Sequence, residues 1–302
     1  METSVASGAG VLPGWFRQEI PEPAALERMR SVLRGAGLHT VCEGARCPNL
    51  GRCWNRGAAT FMILGDTCTR ACRFCAVNSG APSALDAAEP MSIAGAVKAL
   101  GLRYVVITSV TRDDLADEGA GQFARTVRAV KAASGQTKVE VLVPDLHGRP
   151  ELIKVILDAK PDVLGHNIET VPRLAPVLRP QADHERSLKM LATARGQNSG
   201  ALIKSGLMVG LGETDAEVLA TICELKAAGC DIVTVGQYLA PTREERHVPV
   251  DRYVPPEQFE RYRAAGLQAG LEAVVAGPLV RSSYLAEQGL QAVLNNKGKG
   301  KL

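Results

Sequence analysis

The sequence contains few aromatic residues and no long apolar run. Phenylalanine, tryptophan and tyrosine make up 4% of its 302 residues. No apolar stretch approaches the ~20 residues of a membrane-spanning helix. The segment from Met1 to Gly10 has neither a basic start nor an apolar stretch, which argues against a secretion signal. We therefore expect a cytoplasmic protein that does not enter a membrane.

A strong excess of charge is also missing. The chain has 35 lysine and arginine residues and 32 aspartate and glutamate residues, for a formal net charge of +3. This balance does not indicate a nucleic-acid or membrane partner. Hydrophobic residues make up 46% of the chain, which at this length is enough to bury the core of one large domain.

The cysteines are unevenly distributed. The chain has eight, and six of them lie between Cys42 and Cys75. A secreted disulfide-bonded protein spreads its cysteines over a smaller chain, so this clustering favours metal binding. Cys223 lies inside a predicted helix and Cys230 follows the end of that helix. We interpret both as small buried apolar side chains.

An alternation of strand-like and helical segments begins near residue 60. The β-rich apolar runs are residues 61–64, 104–108, 138–143, 162–164, 202–209, 232–235 and 273–276. The helical patterns between them are residues 92–100, 119–132, 150–159, 184–194, 215–228 and 255–269. This alternation predicts an α/β protein with a parallel sheet, and six or seven such units fit a complete or partial barrel.

The two ends of the chain depart from this alternation. Residues 1–22 are rich in glycine, proline and alanine and are predicted to form a loose arm, with Trp15 and Phe16 packed on the body of the protein. Residues 23–35 have the spacing of a helix. Residues 295–302 form a basic tail of glycine and lysine that we expect to be disordered.

One group of three cysteines, the 68–75 triplet, lies just after the first predicted strand. Cys68, Cys72 and Cys75 have Cys-x3-Cys-x2-Cys spacing, which suits three sulfurs that converge on one inorganic group. Gly65 breaks the strand before them. The thiols should therefore lie at the end of a strand, where α/β barrel enzymes place their chemistry.

A second group, the 42–53 triplet, consists of Cys42, Cys47 and Cys53 on a segment where we expect a loop that wraps a ligand. Structural zinc takes four ligands, usually in two closely spaced pairs, and neither triplet has that form. Six thiols would nevertheless be enough for an all-thiolate zinc site. Thiolates are the standard ligands of four-iron clusters, so we favour two iron–sulfur clusters, each one ligand short.

Several segments resemble those of a known enzyme family. Residues 68–75 resemble the signature of the radical S-adenosylmethionine (SAM) superfamily, and residues 42–53 resemble the additional cluster motif of lipoyl synthases. Further matches are residues 108–115, 166–171, 206–213, 236–239, 241–243 and 277–284. The resemblance implies a partial (β/α)6 barrel of the radical SAM type with N-terminal and C-terminal extensions. The implied division is 1–58, 59–277 and 278–302.

The resemblance also implies a reaction. Lipoyl synthases insert two sulfur atoms at C6 and C8 of a protein-bound octanoyl-lysine. These carbons carry no acidic proton, so a cofactor must supply a radical. The implied cofactors are two 4Fe–4S clusters and SAM. The 68–75 triplet would hold the cluster that binds SAM and generates 5′-deoxyadenosyl radicals. The 42–53 triplet and Ser283 would hold an auxiliary cluster that gives up its sulfur.

Five residues at predicted strand ends are assigned to SAM binding by the same resemblance: Thr108, Ser109, Asn167, Glu169 and Met208. A carboxylate at Glu169 would bind ribose hydroxyls, and Gly210 would allow close approach of the adenine. Strand ends also carry caps and turns, which is an equal alternative for each position. Arg112, with Asp113 and Asp114, suits either a salt-bridged helix start or a substrate loop.

The implied partners are octanoylated lipoyl carrier domains, an electron donor such as flavodoxin or ferredoxin, and iron–sulfur assembly proteins. The carriers would be 2-oxoacid dehydrogenase E2 subunits or the glycine cleavage H protein. Two other hypotheses stay open: a different radical SAM enzyme acting on a peptide or tRNA, and a non-enzymatic iron–sulfur or zinc carrier. The chain departs from the family pattern at Arg52, Ala71, Glu118, His184 and Ala240.

Overall fold

An open sheet organises the chain in the computed structural model, which describes residues 12–56, 58–197 and 199–299. The strands are β1 (His39–Thr40), β2 (Thr60–Ile63), β3 (Thr67–Cys68), β4 (Asn78–Ser79), β5 (Tyr104–Ser109), β6 (Lys138–Leu142), β7 (Val163–Gly165), β8 (Leu202–Val209), β9 (Ile232–Gln237) and β10 (Ala273–Gly277). Eight of them form the main sheet in the order β1-β2-β5-β6-β7-β8-β9-β10, and β3 pairs with β4. Strand β1 is antiparallel to β2, and all other neighbours are parallel.

Three helices precede the first parallel strand, β2, and the others follow parallel strands along the chain. They are α1 (Pro23–Gly35), α2 (Val41–Gly44), α3 (Leu50–Asn55), α4 (Glu89–Leu100), α5 (Ala120–Ala133), α6 (Pro150–Leu157), α7 (Ala175–Leu178), α8 (His184–Gly196), α9 (Asp215–Ala227), α10 (Pro256–Gln268) and α11 (Ala286–Lys299). Among the described residues, no helix is both long enough and apolar enough to cross a membrane.

The main sheet is a partial barrel, as predicted. It does not close, because β1 and β10 are its outer strands. Six strand–helix units run from β2 to α10, and β10 adds a seventh parallel strand after them. The carboxyl ends of parallel strands meet at one edge of a sheet, so the loops that follow β2 and β5 to β9 share that edge.

The long strands and helices form where the local sequence favours them, through buried apolar residues in the strands and capping residues at the helix starts. All four residues of β2 and all six of β9 are buried, as expected for parallel strands that are covered on both faces. Two of the long helices begin at side-chain caps. Asp183 accepts a hydrogen bond at the start of α8, and Thr214 forms a capping box with Glu217 at the start of α9.

The seven predicted strands and seven predicted helices are confirmed, with ends that differ by up to three residues. The elements that the sequence pattern did not indicate are mostly short: β1, β3, β4, α2, α3, α7 and α11. Except for α11, they span two to six residues, which is too few for a periodic pattern. Helices α2 and α3 carry Cys42 and Cys53, so the expected wrapping loop is in part helical.

The prediction of a disordered tail is wrong for residues 295–299, which continue α11. The reason is the apolar side of this helix. Leu290 and Val293 are buried and pack in a cluster with Ile232 of β9 and Ala273 of β10. This anchor outweighs the glycine and lysine composition that suggested disorder. Residues 300–302 lie outside the described part of the chain.

The N-terminal arm is partly described. Residues 1–11 lie outside the described part, and residues 12–22 have no regular secondary structure. Phe16 is buried, and its ring packs edge-on against Tyr253 with ring centres 5.6 Å apart. Trp15 remains 42% exposed, so only one of the two predicted aromatic anchors packs on the body.

The C-terminal segment, residues 278–285, lies against strands of the main sheet. Glycines at two strand positions make room for it. A Cβ atom at Gly236 would overlap the carbonyl oxygen of Val280, and one at Gly206 would lie 2.7 Å from the hydroxyl of Ser282. Asn49 ties the N-terminal region to this segment, since its side-chain amide donates to the carbonyl oxygen of Leu279 over 2.6 Å.

We predict that Gly236→Ala destabilises the protein. The added methyl group collides with backbone rather than with a flexible side chain, so the free energy of unfolding should fall by about 2 kcal/mol. The matched control is Gly95→Ala in α4, where a Cβ atom meets nothing within 4 Å. That control should be neutral or stabilising by about 0.5 kcal/mol. Denaturant unfolding measures both, and equal values for the two variants would contradict the prediction.

Candidate metal centre

The 68–75 triplet lies at the strand edge that the sequence predicted. Cys68 ends β3, Cys72 and Cys75 follow on the loop, and all three line one cavity of about 910 Å³. Residues that follow β5, β6, β7 and β9 line the same cavity, which is therefore the mouth of the partial barrel. All eight cysteines fall within the described residues, and each is a free thiol.

Backbone hydrogen bonds hold this loop from several sides. The N–H groups of Thr111 and Arg70 donate to the sulfur of Cys68 over 3.2 and 3.4 Å. The side chain of Gln181 accepts from the N–H of Ala71 and donates to the carbonyl oxygen of Thr69. The loop is thus already positioned, which reduces the ordering that metal binding would require.

Arg70 fixes the loop through two carboxylates. Its side chain is 4% exposed and donates to both oxygens of Asp113 over 2.8 Å and to Asp145 over 2.9 Å. Asp145 also accepts from Arg186. Burial alone would raise the pKa of Asp145, but the hydrogen bonds and charge of Arg70 outweigh it and hold that pKa well below its usual range.

The segment after β5 has the ion pair of the first structure considered for it, the salt-bridged helix start, but not the helix start itself. Arg112 forms the expected ion pair with Asp114, at 2.8 Å. The segment does not start a helix, because residues 113–119 form turns and α5 begins at Ala120. Glu118 has φ +49° in these turns, a left-handed conformation that a glycine adopts without strain.

The 42–53 triplet lines a second cavity, of about 520 Å³, together with Ser283. The structure thus brings together the four residues that the sequence assigned to the auxiliary cluster. This cavity lies near the opposite ends of the strands, since its wall includes Thr60 and Tyr104, the first residues of β2 and β5. The residues that line both cavities are Cys47, Thr60, Arg281 and Ser283.

Burial favours the neutral form of most thiols in the two triplets. Burial raises the pKa of Cys42 and Cys75 to about 11 and that of Cys53 and Cys72 to about 12. Such thiols remain protonated at neutral pH unless a metal supplies positive charge, and metal binding then releases the protons. Each triplet offers three thiols, which suits an iron–sulfur cluster better than a four-ligand structural zinc ion.

The five residues assigned to SAM all line the 910 Å³ cavity. Their hydrogen bonds differ. Thr108 donates its hydroxyl to the carbonyl oxygen of Leu142, whereas the buried hydroxyl of Ser109 has no partner among the described residues. Asn167 accepts from the hydroxyl of Ser282 over 2.7 Å. Ser109 is therefore the residue of this set with an unused polar group in the cavity wall.

Glu169 has an unusual backbone and electrostatic position. Its φ is +68°, and its N–H donates to the carbonyl oxygen of Gly206 on β8. Burial raises the pKa of Glu169, and the charge of Arg179 opposes that rise. A strained residue held in place by its neighbours is typical of a functional site.

Two interpretations of single residues are wrong. Gly210 does not line the cavity described above, and its position is filled by the side chain of Gln237 and the carbonyl oxygen of Arg252. The space that a side chain at this position would occupy is thus filled by other parts of the protein and not left for adenine. Cys223 is exposed rather than buried, whereas Cys230 is buried as expected, with burial raising its pKa to about 12.

Sequence reasoning did not single out two arginines in the cavity wall. Arg179 donates to the carbonyl oxygen of Ile168 over 2.9 Å, and nothing in its local sequence distinguishes it. Arg281 lines both cavities. Burial lowers its pKa, while nearby Cys47 and Glu169 act in the opposite direction. The sequence did offer one indication of a role for Arg281: it lies next to Ser282 and Ser283 in residues 277–284, which resemble the lipoyl synthase family.

A partial parallel barrel with a three-thiol loop after its first parallel strand defines a radical SAM protein, and comparisons with known proteins agree. The profile of the radical SAM superfamily matches residues 62–225, and that of the N-terminal domain of lipoyl synthase matches residues 5–47. The chain belongs to the lipoyl synthase family of the radical SAM superfamily.

The similarity extends over most of the chain. A lipoyl synthase of Rubrobacter xylanophilus is 52% identical over 91% of this chain and 85% of its own length. One from Pyrobaculum calidifontis is 53% identical over 92% of this chain and 95% of its own length. The crystal structure of a methylornithine synthase shares the fold at 17% identity, with a TM-score of 0.50 over 71% of this chain and 69% of that chain.

Membership of the family settles several expectations. The chain is a radical SAM enzyme, which excludes the non-enzymatic carrier. Its cofactors are SAM and 4Fe–4S clusters. Lipoyl synthases act on lipoyl carrier proteins.

We predict that Asp145→Asn lowers the stability of the iron-free protein in a pH-dependent way. Because the pKa of Asp145 is lowered in the folded state, its contribution is complete above the unfolded value of ~3.9 and is lost as the pH falls below it. The wild type should be more stable than the variant by about 3 kcal/mol near neutral pH. The difference should shrink below about pH 4.

Denaturant unfolding at several pH values tests this. The matched control is Asp158→Asn. It removes an exposed ion pair with Lys154 at the C-terminal end of α6. The control should change stability by less than about 0.5 kcal/mol. A difference between wild type and Asp145→Asn that is independent of pH down to about pH 2 would show that the charge of Asp145 is not responsible.

Proposed function

We propose that this chain inserts two sulfur atoms, at C6 and C8, into an octanoyl group that is bound to a lysine of a carrier protein. The observation that supports this most is the pair of adjoining cavities. One is lined by the 68–75 triplet and the other by the 42–53 triplet, and Cys47 and Ser283 line both. A substrate in the larger cavity would thus lie next to the residues of the auxiliary site.

The two triplets have different tasks in this proposal. The 68–75 triplet would hold one 4Fe–4S cluster, with three thiols for its four irons, and SAM would bind to that cluster. The 42–53 triplet and Ser283 would hold the auxiliary cluster. When bound, these groups supply the electron, the 5′-deoxyadenosyl radical and the sulfur, which acid–base side chains cannot supply at unactivated carbons.

The remaining residues of the cavity bind, orient and exclude water. Ser109 offers a hydroxyl that has no partner in the described part of the chain, and Glu169 offers a carboxylate for ribose hydroxyls. Thr108, Asn167 and Met208 complete the predicted SAM contacts. Apolar neighbours in the cavity wall, including Met62 and Val110, limit the access of water, which protects reactive intermediates.

Ser283 has a specific part in sulfur release. A serine hydroxyl is a weaker ligand for iron than a thiolate, so its bond is the one that breaks most easily. Such a ligand suits a cluster that gives up sulfur in each reaction. Ser283 belongs to the C-terminal segment, which begins the third of the three regions that we propose, 1–58, 59–277 and 278–302.

We extend the proposal to partners and location. The carriers are 2-oxoacid dehydrogenase E2 subunits or the glycine cleavage H protein. Electrons come from a small donor such as flavodoxin or ferredoxin, and iron–sulfur assembly proteins rebuild the auxiliary cluster. All of these meet the enzyme in the cytoplasm.

Product analysis tests the function. After anaerobic reconstitution the chain should bind about eight irons, since two four-iron clusters are proposed. With SAM and a reductant it should convert an octanoyl-lysyl peptide into a lipoyl peptide, detected by mass spectrometry. Cys53→Ala should lose about half of the iron and all product, whereas Cys223→Ala, outside both cavities, should lose neither. Cleavage of SAM without any sulfur-containing product would favour a peptide or tRNA substrate instead.

Variants of Ser283 test the ligand assignment. Ser283→Ala should destabilise the auxiliary cluster and abolish sulfur insertion, while SAM still binds. Ser283→Cys should retain the iron but slow sulfur insertion, because a thiolate holds iron more firmly than a hydroxyl. Iron content and lipoyl product are measured on the same samples. Wild-type product from Ser283→Ala would rule out a role for this hydroxyl.

A further inference from the structure

We infer that Lys204, paired with Glu140, is a positioning residue that holds Ser283 beside the 42–53 triplet. Neither Lys204 nor Glu140 is among the residues that line the two cavities, so their action on the site is indirect. The inference rests on the proposed role of Ser283 as an iron ligand.

Lys204 lies on β8, and its side chain is almost completely buried. Its side chain is 3% exposed and that of Glu140 is 1% exposed, with 2.7 Å between the ammonium nitrogen and a carboxylate oxygen. A buried ammonium group is tolerated only when it is paired and hydrogen-bonded. Glu140 also accepts a hydrogen bond from the hydroxyl of Tyr104, so both of its oxygens are used.

The ammonium group makes a second strong contact, with the C-terminal segment. It donates to the carbonyl oxygen of Ser282 over 2.6 Å. This oxygen belongs to the peptide unit that joins Ser282 to Ser283, and a peptide unit is planar from one Cα atom to the next. A contact that fixes the oxygen therefore restricts the Cα atom of Ser283 as well.

The surroundings allow the segment to be held at this point. Gly206, on the same strand as Lys204, has no side chain that would collide with the hydroxyl of Ser282. That hydroxyl donates to Asn167. Ser282 is thus bound through its backbone by Lys204 and through its side chain by a residue of the predicted SAM site. Lys204 supplies the charged and stronger of these two bonds.

A variant that removes only one charge would leave the other buried and unpaired, and this could prevent folding. The test variant is therefore Lys204→Met with Glu140→Gln. It removes both charges at similar side-chain volume and also removes the bond to Ser282. The matched control is Lys138→Met, which loses an ion pair with Asp162 at a side chain that is 53% exposed.

The measurement is the rate at which a chelator removes iron from the reconstituted full-length protein. The double variant should lose auxiliary-cluster iron about tenfold faster than wild type, since a charge-assisted hydrogen bond is removed. The 68–75 cluster and the cleavage of SAM should be unchanged, as should both clusters in Lys138→Met. A general structural role of Lys204 would instead accelerate the loss of iron from both clusters, and that result would overturn the inference.

Comparison with Ser283→Ala separates this inference from the proposed function. If Lys204 acts through Ser283, adding Ser283→Ala to the double variant should cause no further acceleration. Additive effects would overturn the positioning role. If Ser283→Ala accelerates iron loss but the double variant does not, the inference fails and the proposed function stands. If Ser283→Ala alone has no effect, the ligand assignment in the proposed function fails.

Discussion

The candidate site depends on the position of the C-terminal segment against the open sheet. Ser283 reaches the 42–53 triplet because Gly206 and Gly236 leave room for the backbone that precedes it. Hydrogen bonds from Lys204 and to Asn167 then hold Ser282 at two points. A shift of the segment would leave these buried groups unpaired, which is costly in a dry environment. The same contacts bring the two cavities together at a shared wall.

Paired charges organise the other side of the site. Arg70 lies within the 68–75 loop and bonds to Asp113 and Asp145, which follow two different strands. The loop is therefore positioned by residues on the sheet rather than by the metal alone. The buried thiols have raised pKa values, so proton release and metal binding are coupled. A fixed loop requires little ordering when it binds a metal, but its buried thiols must then lose their protons.

Much of the fold followed from local patterns. The strand–helix alternation predicted every parallel strand of the main sheet, because buried strands and amphipathic helices have periodicities that are visible in short windows. Helix α11 was missed: no helix was predicted for residues 286–294, and the composition of residues 295–302 suggested disorder. The contacts of Leu290 and Val293 that stabilise this helix are with strands of the main sheet. Gly210 was misread for a similar reason. A positive φ and the side chain of Gln237 require glycine there, and neither is visible in the sequence.

The sequence by itself determined which atoms are available for chemistry. Three thiols within eight residues, Cys68 to Cys75, must lie close together in any fold, because the chain between them is short. The family resemblance assigned Ser283 to the site of Cys42, Cys47 and Cys53, but only the tertiary structure brings it into their cavity and places Lys204 behind it. Asn49 and Leu279, which contact each other near this site, are 230 residues apart. Such contacts follow from strand register and from the space that two glycines leave, and no local pattern encodes them.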